Sequence, residues 1–222
     1  MQKIDKLANY ANPKSLGNKF REKRFNFFKS KIKNLPKPMK ILDVGGTQLF
    51  WVNRGFHNNP NYHITLLNLH KEPSDYSNIQ STIGDATNLS NYQNNHFDLV
   101  FSNSVIEHLF TYQNQEKMAS EVRRIGRYHY IQTPNYYFFI EPHYLLPFFQ
   151  FLPRSLQLFI LTKTRLSRGI KYTKEAANAY LDEIQLLSKK QYKQLFPESV
   201  FYKEKFLGMT KSITAHNIVN KG

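Results

Sequence analysis

The chain has 222 residues, 31 Lys and Arg against 16 Asp and Glu, and a formal net charge of +15. That length suits one ordinary domain with small additions, and 41% hydrophobic with 15% aromatic residues argue against a disordered chain. The absence of cysteine excludes disulfide scaffolds, thiolate metal sites and cysteine nucleophiles.

The basic charge is uneven. Residues 1–40 hold 12 Lys and Arg against only Asp5 and Glu22. Within them Leu16, Phe20, Phe27, Phe28, Ile32 and Leu35 fall near helical spacing. An amphipathic helix is expected over about 15–35, ended by Leu35-Pro36-Lys37-Pro38. Residues 1–38 are therefore read as a basic helical extension, either packed on the core or seated on a membrane surface, a nucleic acid or an anionic substrate. Residues 1–20 show no apolar signal-peptide core, so a cytoplasmic location is expected, peripheral to the membrane's inner face if that basic segment binds there.

After Pro38 the texture changes. Residues 39–44 form a short apolar run into Gly45-Gly46, a strand and its turn. Thr47 is placed to cap a helix running to about His57. Further strands are expected at 62–69, 79–83, 97–102 and 128–133, with a helix over 114–125. This alternation predicts a largely parallel sheet with helices on both faces. Residues 135–168 break the rhythm with aromatic clusters and prolines, and are too polar to span a membrane. A last helix over 183–196 and a strand pair at 200–206 and 209–217 close the chain.

Open parallel sheets bind ligands beyond the carboxyl ends of their strands. Polar groups fall there: Asp43 with Gly45 and Gly46, then Asn68, then Asp85 with Ala86, then Asn103 and Ser104. Glycine lets a ligand approach the backbone. Asn68 can hydrogen-bond a ribose, and Asp85 can accept from an exocyclic amine.

The segments ILDVGG at 41–46, LLNL at 66–69, GDATNL at 84–89, FDLVFSNSVIEHL at 97–109 and FLGMTKSITAHN at 206–217 resemble the class I S-adenosylmethionine-dependent methyltransferases, in particular their small type-11-like group. The resemblance covers about 40–217. It implies a Rossmann-like, doubly wound α/β fold with seven mostly parallel strands, the last antiparallel. It also implies S-adenosyl-L-methionine as cofactor, held by Asp43, Gly45, Gly46, Asn68, Asp85, Ala86, Asn103 and Ser104. The methyltransferase domain would span 39–217, with a substrate lid inserted at about 136–180. Two departures stand out. The family's G-x-G-x-G loop is here Gly45-Gly46-Thr47, and its acid after strand two is Asn68. An amide lacks the charge-assisted bond an acid makes to ribose hydroxyls.

His143 and His108 are the candidate general bases, since imidazole suits proton removal from a hydroxyl near neutrality. The eight histidines show no H-x-x-x-H or carboxylate cluster of metal-site spacing, so no metal is expected. The aromatic 136–152 stretch points to a small-molecule, glycan or lipid-linked acceptor methylated at oxygen. An RNA methyltransferase using the basic N-terminus is the second reading. A degenerate fold acting only as a binding protein is the third.

Overall fold

A computed structural model of the chain describes residues 16–219. Its main sheet has seven strands: β1 (Met39–Val44), β2 (Tyr62–Asn68), β3 (Ile79–Ile83), β4 (Phe97–Asn103), β5 (Gly126–Pro134), β8 (Val200–Phe206) and β9 (Met209–His216). Their spatial order is β3-β2-β1-β4-β5-β9-β8. β1 pairs in parallel with β2 and β4, and β4 with β5. β9 runs antiparallel to both β5 and β8, so it is the one reversed strand of the sheet. The expected seven-stranded architecture is the observed one.

The helices are α1 (Leu16–Ile32), α2 (Gln48–Val52), α3 (Tyr112–Ile125), α4 (Arg154–Lys163), α5 (Lys174–Glu183) and α6 (Lys189–Leu195). Alternate residues of the central strands serve opposite faces. Leu42, Val44, Val100 and Ile131 pack on one side against Met118, Val122 and Ile125 of α3 and Tyr192 and Leu195 of α6. Ile41, Leu99, Phe101 and Tyr130 pack on the other, against Phe25, Phe28 and Ile32 of α1 and Trp51 of α2. Because both faces are covered, these strands read as near-continuous apolar runs.

Two expected helices are shorter than their sequences suggest. Thr47 does cap α2, but the helix stops at Val52. Gly55 adopts φ +75°. Its N–H meets the Val52 carbonyl and the Phe56 N–H meets the Trp51 carbonyl, a glycine-closed Schellman end. The expected helix over 183–196 begins only at Lys189, as α6, while α5 before it ends at Glu183 and was not expected. The chain between them bonds elsewhere. Gln185 N–H donates to the Glu107 carbonyl, Tyr136 N–H to the Leu187 carbonyl, and Gln115 Nε2 to the Gln185 carbonyl. Ser188 and Gln191 then form a capping box that restarts the helix.

The segment after β5 builds its own layer. It contains the short pair β6 (Ile140–Glu141) and β7 (Leu146–Pro147), followed by α4 and α5. Tyr144, Phe149, Leu161, Ala177 and Leu181 make a third, small core there.

The N-terminal helix takes the first of the places that its sequence left open, packed on the core. Phe28 and Ile32 are almost wholly buried against the sheet, and Phe25, absent from the expected apolar face, is 6% exposed among Trp51, Phe50 and Phe56. Residues 1–15 lie outside the described residues. Within the rest, α1 is a wall of the core, not an appendage. Phe28→Ala should therefore cost about 3–5 kcal/mol in urea unfolding, and removal of residues 1–37 should leave no cooperative transition. A truncated chain that unfolds with the full-length midpoint would contradict this packing.

Candidate functional site

Asp43, the last residue but one of β1, is buried, and Trp51 Nε1 donates to its Oδ2 at 2.7 Å. The Asp43 side chain is thus tied to an indole of the following helix. Burial pushes the Asp43 carboxyl up to about 8, against the opposing Trp51 bond and Arg54 charge. Gly45 sits at φ +72°, and a Cβ there would strike Val105. A Cβ on Gly46 would fall on the Asp43 carboxylate. Both glycines are required by the protein's own close packing.

Asn68, at the end of β2, donates from Nδ2 to the Gly46 carbonyl at 2.8 Å. The amide that replaces an acid therefore ties the second strand to the glycine loop. Its Oδ1 is the remaining acceptor. Asp85 is exposed, and its Oδ1 accepts from Thr87 N–H and Thr87 Oγ1, both at 2.8 Å. Ala86 is 8% exposed beside it. Asn103 ends β4. Ser104 follows at φ +59°, its hydroxyl donating to Gln132 Oε1 at 2.9 Å. These groups stand on the adjacent ends of β3, β2, β1 and β4, as the motif order implied.

Two cavities adjoin this crest. One, of about 320 Å³, lies between α1 and α2 and includes Thr47, Phe50, Arg54 and Asn103. The other, of about 470 Å³, lies beyond β4 and β5 under the inserted segment, and Asn103 and Ser104 line it too. Phe20, Phe138, Ile140, Leu145 and Phe206 make its apolar walls, and Arg21, Arg24, Arg168 and Lys211 its charged ones. Among the described residues, neither cavity has an acidic one lining it. Behind the wall, buried Glu204 meets Lys211 Nζ at 3.1 Å and Arg24 at 3.9 Å. One carboxylate serves two cations. The Arg54 guanidinium lies 3.8 Å over the Phe50 ring. Burial and the charges of Arg21 and Arg24 lower it to about 10, with Asp43 opposing.

Motif reading missed most of these walls. Arg21, Arg24, Gln132 and Arg168 belong to no motif, and Lys211 lies in the closing-hairpin segment without having been singled out. One signal was available. The chain prefers lysine, with only nine arginines, yet Arg21, Arg24, Arg54 and Arg168 all line the cavities. Arginine keeps its charge when desolvated and offers a rigid fork of donors.

The two histidines lie together but not on these walls. A general base acting on the acceptor would have to open onto a cavity beside the strand-end crest. Asn103 lines both cavities, whereas neither Gly45 nor His143 lines either. The reason is Glu141, whose Oε1 grips His143 Nδ1 at 2.7 Å and leaves the side chain 13% exposed. Burial works to lower the His143 imidazole. The bond and charge of Glu141, with the charge of Glu107, outweigh it and raise it. His108 is held likewise, Nδ1 to Glu183 Oε1 at 2.8 Å. The rings stand edge to face, centroids 4.9 Å apart. Glu107 is fully buried beside them, and burial raises its carboxyl against the charges of His143 and His108.

A sequence model of the family described as methyltransferase domain matches residues 46–128, from the glycine loop into β5. No curated protein matches the chain. A SAM-dependent methyltransferase from Methanosarcina mazei is 14% identical, with 85% of this chain and 96% of that one covered and a TM-score of 0.50. The complex of the Haloferax volcanii Trm112 methyltransferase activator with a candidate methyltransferase contains a chain 11% identical, 90% and 91% covered, with a TM-score of 0.51. A candidate Zn-dependent alcohol dehydrogenase from Rhodobacter sphaeroides is 10% identical, 85% and 87% covered, with a TM-score of 0.53. Similarity at these identities establishes the fold alone. Among the described residues, no helix is long and apolar enough to cross a membrane.

The buried Asp43 carboxyl sets a pH dependence. Its folded-state value near 8 lies above the ordinary aspartate value of about 3.9. The folded chain therefore holds a proton that the unfolded chain gives up. Stability from this group is full below pH ~4 and falls as pH rises towards 8. Asp43→Asn, which keeps an oxygen for Trp51, should remove that slope. Urea midpoints of the two proteins should diverge from pH 5 to pH 8 in favour of the variant. Parallel curves would show that Asp43 stays ionised in the fold.

Proposed function

We propose, on the premise that the family match and the fold support a class I S-adenosylmethionine-dependent methyltransferase, that the chain methylates an oxygen of a small, partly apolar and anionic acceptor. The observation that carries the acceptor's charge is the wall of the larger cavity: among the described residues, four cations and no carboxylate line it. Glu204 already serves two of these cations from behind, and the wall as a whole still presents an excess of positive charge to the cavity. A carboxylate or phosphate supplies the counter-charge, and the interaction strengthens as water leaves the cavity. The apolar walls suit the remainder of a small molecule, and the class includes sugar acids and lipid-linked phosphates.

The strand-end crest fits the nucleoside end of the cofactor. Asn68 Oδ1 is placed to accept from one ribose hydroxyl, where an acid would accept from two. Among the described residues nothing bonds Asp85 Oδ2, which leaves it for an exocyclic amine above Ala86. Asp43, Gly45 and Gly46 shape the loop beneath, and Asn103 and Ser104 face the acceptor cavity. When bound, S-adenosylmethionine supplies a methyl group already activated on a sulfonium. The protein's part is alignment and exclusion of water. The end of β4 reads Asn103-Ser104-Val105-Ile106. It lacks the Pro-Pro-aromatic grip used for amino groups of flipped bases, which favours oxygen. Neither His143 nor His108 lines the cavity, so this reading assigns the rate to alignment and not to an imidazole acting directly on the acceptor.

The test is transfer of labelled methyl to small oxygen nucleophiles offered as acid and amide pairs. Turnover is expected on the acids. Arg24→Gln should raise KM roughly 10–100-fold, the worth of a hydrogen bond to a charged group, while calorimetry shows unchanged affinity for S-adenosylhomocysteine. Turnover on the amides alone, or on RNA alone, would overturn the acceptor assignment.

A further inference from the structure

We infer that Glu107, His108 and His143 form a binding site for one divalent first-row transition-metal ion. No motif spacing announces it. Glu107 and His108 lie on the turn after β4, and His143 lies in the inserted segment, 35 residues beyond His108. The fold brings one potential ligand atom from each to within 4.8 Å of the others. Around a bound ion such atoms lie about 3.4 Å apart, so modest side-chain rotation closes the set.

Three observations favour a cation over a mere polar cluster. First, both imidazoles are held from behind by carboxylates, Glu183 on His108 Nδ1 and Glu141 on His143 Nδ1. A proton on each Nδ1 then faces its carboxylate and leaves each Nε2 lone pair free. That is the outer-shell arrangement of metal-ligating histidines. Second, Glu141 is itself fixed, its Oε2 accepting from the backbone N–H of His143 and Tyr144, each at 2.7 Å. Third, Glu107 is fully buried. Thr133 Oγ1 donates to its Oε2 at 2.9 Å, while its Oε1 has no hydrogen-bond partner among the described residues. A buried carboxylate oxygen without a donor is costly, and a coordinated cation is the partner that geometry lacks.

The donor set selects the ion. Two imidazoles and one carboxylate suit Mn²⁺, Fe²⁺, Co²⁺ or Zn²⁺ better than Mg²⁺ or Ca²⁺, which prefer oxygen. Three protein ligands leave positions open for water or a substrate oxygen. Pro142, next to His143, and Gln132, next to Thr133, both line the larger cavity. The cluster therefore lies directly behind the wall of the space where an acceptor would sit. A role there rests on the proposed methyl transfer, whereas ion binding itself does not.

The experiment uses the full chain, stripped with chelator and titrated with Co²⁺ and Mn²⁺. One Co²⁺ per chain is expected at micromolar affinity or tighter, with visible d–d absorption. Glu107→Gln and His143→Ala should each weaken binding at least 10–100-fold with the circular dichroism spectrum unchanged. If Glu107→Gln fails to fold, His108→Ala, at a partly exposed position, makes the same comparison. No Co²⁺ or Mn²⁺ binding up to millimolar concentration, or equal binding by wild type and these variants, would overturn the site. Affinity for S-adenosylhomocysteine, measured on the metal-free chain, bears separately on the methyl-transfer reading.

Discussion

The indole N–H of Trp51 donated to buried Asp43 is the bond on which the working end of this fold depends. It joins the tip of the first strand to the helix that follows the loop. Asp43 then occupies the space beside Gly46, which is why that position has no side chain. Asn68 completes the tie by bonding the Gly46 carbonyl. The Trp51 ring, wholly buried, becomes the platform for Phe25, Phe28, Phe56 and Phe101. Edge-on aromatic contacts of this kind fix relative orientation as well as burying area. Through them α1 is held over the sheet, and the gap it leaves forms both cavities.

That placement gives the basic N-terminal helix two distinct populations of charge. Lys19, Lys23, Lys29 and Lys33 are exposed. Arg21 and Arg24 are half-buried and line the cavities. The outward lysines belong to a solvated face. The inward arginines, together with Lys211 from the far hairpin and Arg168 from the inserted segment, set the chemistry of the larger cavity. Helix, hairpin and insertion thus meet on one volume, although they are distant in the chain.

The inserted segment does a second job. Its small core around Tyr144 and Phe149 holds Glu141, and Glu141 holds His143. Because His108 and Glu107 hang from the end of β4, the segment brings its histidine to a turn that the sheet already fixes. The same turn receives the chain after α5 through the Gln185 bond to the Glu107 carbonyl. Packing of the insertion and geometry of the cluster are therefore one matter.

Local pattern by itself determined the sheet. The apolar runs, the glycines after them and the spacing of strand-end polar residues announced β1 to β5 and the closing hairpin. They also located Asp43, Gly45, Gly46, Asn68, Asp85, Ala86, Asn103 and Ser104 on one crest, because strand periodicity and loop chemistry are properties of neighbouring residues. The end of α2 at Val52 and the late start of α6 at Lys189 escaped that reading, since a glycine-closed turn and bonds to distant segments replaced the helix that periodicity would have continued. Only the tertiary structure decided the rest: that Phe25 is core, that Arg21 and Arg24 face inward with Arg168 and Lys211, and that Glu107, His108 and His143 converge. Residues separated by 35 to 190 positions carry no mutual signal in the chain. They become one site because the two faces of a sheet must be covered, and what covers them brings its side chains along.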